Sequence, residues 1–474
     1  MGSVLNPTVP VDARQQVADA FNACVRRVVA AEWRDLSDMV RQRAAMIVAD
    51  NVSAAFSALD EPQVEKSRAA VLAREQDGPA SLLVPHGKRV SVHAAATQNA
   101  LAMGWNELDE GYRKAVCHGG LYVLPALMAV AEQEGAAAQD VLRALTLGYE
   151  LVTRVARAWS FVPMRIHPHA LLAPVGAAAG IAILRRLPAD EVLSAVAGAC
   201  AMGMAGPFNQ ALQGVLVRNT WAAQGAAMGI LAVDQAHAGI GGRASTPYDV
   251  YVTALGGSTD LPALTAEDEW AVASGYQKIN ACCQYAHSAI EAVQALLARD
   301  ASLLGGEQIS EIRVHAHPLA YPLDNRSPST TLGAKFSVPH AVAAALVHGH
   351  GGAQAFDNAS LSDPRIARLR NKVILEPFAE VRAWPQDRPA TVTLTTPDGQ
   401  VTQTCWSARG GPDRPLAQED VWEKIRSLCD RHMPHAMPTL HALVSLAGGA
   451  SSGATGTLDL QCSWNDWMRA LTAA

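Results

Sequence analysis

The chain has 474 residues, 49% apolar and 17% charged, with 38 lysines and arginines against 44 aspartates and glutamates and a formal net charge of −6. That length exceeds one ordinary hydrophobic core, so two domains are expected, and the composition excludes a fibre or a disordered chain. The acidic balance, with no basic stripe, argues against nucleic acid as a partner, and so low a charged fraction points to an oligomer.

From Val11 to Leu59 apolar residues recur at three- and four-residue steps, among them Phe21, Val25, Val28, Met39 and Met46, the pattern of amphipathic helices. Residues 1–20 carry Asp12 and Arg14 and lack the apolar core of a signal peptide. Pro85-His86-Gly87 marks a turn before a helix from Ser91 to Met103, which leads into an acidic loop with Glu107, Asp109 and Glu110. Leu121–Ala131, Ala170–Leu184 and Ala189–Met204 are apolar almost all round, as helices inside a bundle are. The uncharged run Val192–Val217 is long enough to span a bilayer. Its glycines, Pro207, Asn209, Gln210 and Gln213 suit small-residue packing between buried helices instead, so no membrane span is expected.

After about residue 265 the texture changes, and strands are expected only here. Ile312, Val314 and Ala316 alternate, and Thr391–Thr396, Pro397-Asp398-Gly399 and Val401–Cys405 read as a hairpin. Ser337–His348 and Asp363–Asn371 between them are helical, and Leu416, Val421, Ile425 and Leu428 return to helical spacing. The fold class is therefore mainly α. A large all-α domain from residues 1–265 and 411–474 is interrupted by a smaller α+β lid domain over 266–410.

The eight cysteines form no C-x-x-C pair, and Cys282-Cys283 cannot hold an iron–sulfur cluster, so reduced thiols and a cytoplasmic location are expected. Of the histidine pairs His167/His169, His315/His317 and His348/His350, only His315/His317 fits a strand on which both rings point one way. No third ligand stands at a recognised spacing, so no metal is expected; with no G-x-G-x-x-G, P-loop or G-x-S-x-G elbow, no cofactor is expected either. The chemistry falls to side chains. The segment Gly104–Pro125, GWNELDEGYRKAVCHGGLYVLP, brings carboxylates, Arg113-Lys114 and His118 to the start of a buried helix. There a helix N-terminus and a carboxylate act on the imidazole in opposite senses, a setting for a general acid or base. A capping histidine beside a solvated acidic loop fits the same residues.

The segment resembles the MmgE/PrpD superfamily, which includes 2-methylcitrate dehydratase, cis-aconitate decarboxylase and iminodisuccinate epimerase and carries H-A-x-D-F-D-D followed by H-P-[GS]. Glu107-Leu108-Asp109-Glu110 and His118-Gly119-Gly120 correspond to these elements, and Gly148-Tyr149-Glu150 to the family's G-[IY]-E helix. Arg165-Ile166-His167-Pro168 with Gly176-Ala177-Ala178, KINACCQYAH from Lys278 to His287, and Lys335-Phe336-Ser337-Val338 follow in the family's order. The resemblance implies a helical domain with a lid, an active site between them, a homodimer, and metal-free proton handling next to a carboxylate of a small di- or tricarboxylate. By position it implies Glu107, His118, the Gly214–Arg218 region, His287 and Tyr321 as working residues, with Asp109 beside them as a further catalytic candidate. Since a proton lost next to a carboxylate leaves a dianion that cations and donors must meet, Arg218, Lys278 and His167 are the candidate carboxylate clamps.

Arg218 is the only charge between Val192 and Val233, so a guanidinium buried there needs an anionic partner or ligand. Lys278 can equally be a surface lysine, His167 a helix cap and Tyr321 a ring packed under Pro318 and Pro322. The sequence also departs from the family. Gly104 replaces the leading histidine, Glu107 the first aspartate, and the segment Gly214–Thr220 lacks the lysine of T-K-P-x-H-x-G. Three functions are in play: a cofactor-independent lyase removing water or carbon dioxide, an epimerase or isomerase using His118 with Tyr321 or His287 on opposite faces of one carbon, and a carboxylate-binding protein without catalysis.

Overall fold

A computed structural model describes residues 11–75, 77–161, 163–267, 269–450 and 458–473; the first part of the N-terminal stretch read above, residues 1–10, lies outside them. The helices of the first part are α1 Val11–Val29, α2 Asp38–Phe56, α3 Pro62–Leu72, α4 Val92–Trp105, α5 Gly119–Glu134, α6 Ala138–Ala158, α7 Pro168–Leu184, α8 Ala189–Ala201 and α9 Thr220–His237. Ser37 and Ser91 cap α2 and α4 by accepting from Val40 N and Ala94 N.

Every residue of α7 is buried, and α5, α6 and α9 pack around it. The approach of α9 is close because α9 has no side chain at the crossing: a Cβ on Gly225 would lie 2.4 Å from Ala173 Cβ, and one on Gly229 would lie 2.3 Å from Ala177 Cβ. The uncharged run itself is interior on only part of its surface: Val192, Ala195, Val196, Ala197, Ala199 and Cys200 are buried, whereas Val215 and Val217 are exposed. Its helix α8 stops at Ala201, short of the expected Met204, and Met204 N donates to Ala170 O instead. Among the described residues no helix is long and apolar enough to cross a membrane.

The second part begins with α10 His287–Arg299 and forms a four-stranded sheet from β1 Glu311–Ala316, β2 Val373–Pro377, β3 Ala390–Thr396 and β4 Gly399–Cys405, in the order β4-β3-β1-β2. Strands β1 and β2 are parallel, with Ile312 opposite Val373, while β3 runs antiparallel to β1 and β4, with Val392 opposite Val314 and Gln403. The Pro397-Asp398 turn joins β3 to β4 where the sequence puts it. Helices α11 Val338–His348 and α12 Pro364–Arg370 lie between β1 and β2 in the chain, and α13 Gln418–Cys429, α14 Ala436–Ala447 and α15 Trp464–Thr472 follow the sheet.

Two hydrophobic cores result. One gathers buried residues from Val17 to Val272 and again from Leu416 to Leu471; the other gathers Ala281–Cys405 together with Ala54, Leu108, Ala211 and Leu428. Strands are not confined to the second core: Ala80–Ser81 pairs with Arg89–Val90, Gly111–Tyr112 with Gly275–Tyr276, and Trp159–Ser160 with Ser258–Thr259. Two-residue ladders are too short to leave an alternating pattern in a sequence. The His315/His317 pairing also fails. The strand ends at Ala316, so His315 stays on the half-exposed face beside Glu376 while His317 turns inward with Nε2 near Tyr285 O.

Gly229→Ala should force α7 and α9 apart. Urea unfolding should show a loss of about 1–3 kcal/mol, the usual cost of overpacking a filled interior, whereas unchanged stability would mean the two helices do not meet there.

Candidate functional site

The acidic loop follows α4, and it is interior. Glu107, Asp109 and Glu110 are 2%, 0% and 1% exposed, which removes the solvated-loop alternative. Glu107 adopts a left-handed backbone, φ 54°, a conformation that costs a non-glycine residue of order 1 kcal/mol or more. Side chains from distant parts of the chain hold it. Lys335 Nζ donates to Trp105 O at 3.0 Å and Asn106 Oδ1 at 2.8 Å; Lys424 Nζ donates to Leu108 O at 2.6 Å and Asp50 Oδ1 at 2.5 Å. Burial pushes the Lys335 pKa down to about 8.

The reversal at Glu107 sends its carboxylate between two buried cations. Oε1 lies 2.5 Å from Arg218 Nη1, and Oε2 accepts from Lys278 Nζ at 3.1 Å. Burial alone would raise the Glu107 pKa, but Arg218 and Lys278 hold it well below the usual carboxylate range. Burial likewise opposes the Lys278 charge, and Glu107 and Asp109 more than offset it, so that the pKa of Lys278 is raised. Arg218 therefore has the anionic partner its isolation in the sequence demanded, supplied by the protein itself. Its guanidinium also sits 5.1 Å from the centre of the Phe336 ring.

His167 caps α7 and borders the same guanidinium. Its Nδ1 faces the N–H of His169 at 3.2 Å and its Nε2 faces Arg218 Nε at 3.3 Å. Burial and the Arg218 charge push its pKa well below the ordinary value, and a neutral imidazole offers one lone pair, so it satisfies only one of these donors at a time.

His118 is the N-cap residue of α5, and its Nδ1 donates to Asp109 Oδ2 at 2.6 Å. The pairing directs the ring's other nitrogen, Nε2, away from the loop, and among the described residues it has no hydrogen-bond partner. The rings of His118 and His169 meet edge-on, centroids 4.9 Å apart, and those of His169 and His167 are 4.6 Å apart. Burial raises the Tyr122 pKa, so its hydroxyl keeps the proton and donates to His169 Nδ1 at 2.8 Å. Burial and Arg218 keep His169 neutral, which places its proton on Nε2, a buried atom with no partner. His169 and Tyr122 escaped the sequence reading, which had weighed His169 only as half of a metal-ligand pair. Among the described residues no three His, Cys, Asp or Glu side chains form a metal-holding group.

Tyr149 lies against Gly119, the position where His118-Gly119-Gly120 departs from H-P-[GS], and Glu110 lies against Gly120. Its Oε1 accepts from Gly120 N at 2.5 Å and its Oε2 from Tyr149 Oη at 2.9 Å; a Cβ on Gly120 would lie 2.8 Å from that Oε1, and one on Gly119 would lie 2.4 Å from the Tyr149 ring. Burial pushes the Glu110 pKa up to about 8.

Two expected catalytic residues stand apart. His287 is fully buried with both ring nitrogens engaged, Nδ1 accepting from Tyr276 Oη at 2.6 Å and Nε2 donating to Cys282 O at 3.2 Å; burial and Lys278 push its pKa to about 3. It has neither a free lone pair nor a proton to give. Tyr321 is 45% exposed on the turn after β1 and makes no hydrogen bond or ring contact with the cluster, because the chain leaves the core at Pro318. Arg113 also faces elsewhere, toward Ser407 and Asp387.

A cleft of about 1150 Å³ runs beside the cluster, between the helical core and the sheet side. Phe208 in its wall stacks on His167, centroids 5.7 Å apart, and Ile166 and Pro168, which flank His167 in the chain, line it too.

The sequence matches the MmgE/PrpD N-terminal domain over residues 24–251 and the MmgE/PrpD C-terminal domain over residues 281–442. It is 24% identical over 426 residues to the cis-aconitate decarboxylase-like protein oryM of Aspergillus oryzae, covering 83% of this chain and 87% of that protein. It is also 24% identical over 428 residues to the cis-aconitate decarboxylase of Aspergillus terreus, covering 83% and 86%.

Glu110 predicts a pH dependence. Unfolded, it ionises near the ordinary glutamate value of 4.5; folded, near 8, so between those values the folded state binds more protons and stability falls as pH rises. Glu110→Gln removes that slope. Its unfolding free energy relative to the parent should improve by on the order of a few kcal/mol from about pH 5 to about pH 9, and parallel pH profiles would contradict this.

Proposed function

The chain belongs to the MmgE/PrpD family, and from that premise we propose that it is a lyase, a dehydratase or decarboxylase acting on a carboxylate by proton transfer at the neighbouring carbon. The observation that carries this reading is the His118–Asp109 pair set in one buried cluster with Arg218, Lys278 and two neutral histidines. Asp109 fixes the tautomer in which His118 Nε2 has its lone pair free, as a general base requires.

Removing a proton next to a carboxylate spreads negative charge onto the carboxylate oxygens. Donors already in place for that charge lower the barrier without reorganising. Here they are the guanidinium of Arg218, whose Nε shares its present partner His167 with a competing donor, and the unpartnered Nε2–H of His169. The C–O bond of a β-hydroxyl then breaks, and the hydroxyl leaves as water by taking the proton that His118 Nε2 has just accepted. In a decarboxylation the C–C bond breaks first and carbon dioxide leaves, and the carbanion takes a proton from Nε2 of a His118 that begins the cycle protonated on both nitrogens.

The lyase is preferred to the epimerase because two-sided proton exchange needs a second acid–base group. His287 has both nitrogens bonded and Tyr321 is half-exposed. The binding-only reading gains nothing from a histidine whose tautomer is fixed by a buried carboxylate.

Incubation with a panel of di- and tricarboxylates, followed by ultraviolet absorbance of the alkene product, should reveal turnover. His118→Asn should lower it by roughly 10²–10⁴-fold, as loss of a general acid–base group does, with Asp109→Asn falling between the two. Full activity in His118→Asn would take the imidazole out of the mechanism.

A further inference from the structure

The cleft beside the cluster is larger and more apolar than a small polycarboxylate requires. Its volume of about 1150 Å³ exceeds the roughly 300–1,000 Å³ of pockets that hold drug-sized ligands. Leu171, Leu172, Phe208 and Leu212 supply one wall, Leu319 and Pro322 the other. Carboxylates placed against such walls would give up water for no partner. An alkyl or aryl body would gain from the same burial.

Charge points the same way. The cleft is lined by Arg113, Lys114, Arg157, Arg165 and Arg388 against only Asp260 and Asp387, which favours an anionic guest over a neutral one. Within the cluster, however, Glu107 already lies against both Arg218 and Lys278. Those two cations are thus already engaged, and the further carboxylates of a triacid would have to lie along the apolar walls of the cleft, where hydrocarbon is favoured.

We infer that this site takes an amphipathic acid, its apolar body along the cleft and its carboxylate-bearing end at the wall formed by Ile166, Pro168 and Phe208, which borders His167 and the cluster behind it. The inference rests on the carboxylate reading of the cluster given above and adds the class of substrate.

Titration calorimetry of the full chain with alkylsuccinic acids from methyl to octyl, and with tricarballylate as the short triacid, tests it. Affinity should rise about three- to fourfold per methylene that enters the cleft, reaching on the order of a hundredfold or more from methyl to octyl. Tricarballylate should bind more weakly than octylsuccinate. In the double variant Met164→Gln with Leu319→Gln, at partly exposed positions in the cleft, the gain with chain length should shrink while methylsuccinate affinity holds. Affinity that is flat along the series, tightest for the triacid, or equally chain-dependent in the double variant overturns the inference. Since the readout is binding, long acids that bind without turnover count against the lyase alone. Turnover of small polycarboxylates with no gain along the alkyl series counts against the amphipathic ligand alone.

Discussion

The organising interaction is one buried carboxylate, Glu107, held between Arg218 and Lys278. Each cation alone in that interior would be far costlier than any hydrogen bond could offset, and removing one partner of a buried pair typically costs about 3–5 kcal/mol. The three groups are therefore interdependent. They also tie the molecule together: Glu107 follows α4, Arg218 precedes α9, and Lys278 lies between the last buried residues of the first core and the first of the second.

Holding Glu107 in place requires a strained turn, and the surrounding structure over-determines it. Lys335, from the second core, and Lys424, from α13, grip the loop's carbonyls from separate directions, while Gly111–Tyr112 pairs with Gly275–Tyr276. The same fixed loop presents Asp109 to His118 and Glu110 to the start of α5. One rigid segment thus sets the cation partner, the imidazole tautomer and the helix entry, each held by neighbours that are themselves fixed.

Much of this was legible in the residues. All-round apolarity marked α5 and α7 as interior helices, the Pro-Asp-Gly turn marked the hairpin, and the solitary charge of Arg218 announced a buried partner. The identity of that partner was not, because nothing local distinguishes Glu107 from Glu110 until the backbone reverses between α4 and α5. Lysines that bind main-chain carbonyls, such as Lys335 and Lys424, leave no motif, since a carbonyl has no residue type. His169 and Tyr122 meet only because α5 and α7 pack side by side. Tyr321 and His287 were placed by resemblance, which transfers sequence order but not whether a side chain faces solvent or has already spent both nitrogens on neighbours.

The departures from the family pattern acquire physical reasons in the same geometry. Gly119 leaves room for the Tyr149 ring, and Glu107, one methylene longer than aspartate, reaches both cations. The central claim is that this carboxylate remains charged because of them. Carbon-13 NMR titration of the Glu107 side-chain carboxyl, assigned by its disappearance in Glu107→Gln, measures that charge directly. The account predicts an ionised resonance throughout the ordinary titration range of glutamate, down to the lowest pH at which the protein stays folded. A midpoint inside that ordinary range would show that Arg218 and Lys278 do not hold it, and would contradict the account.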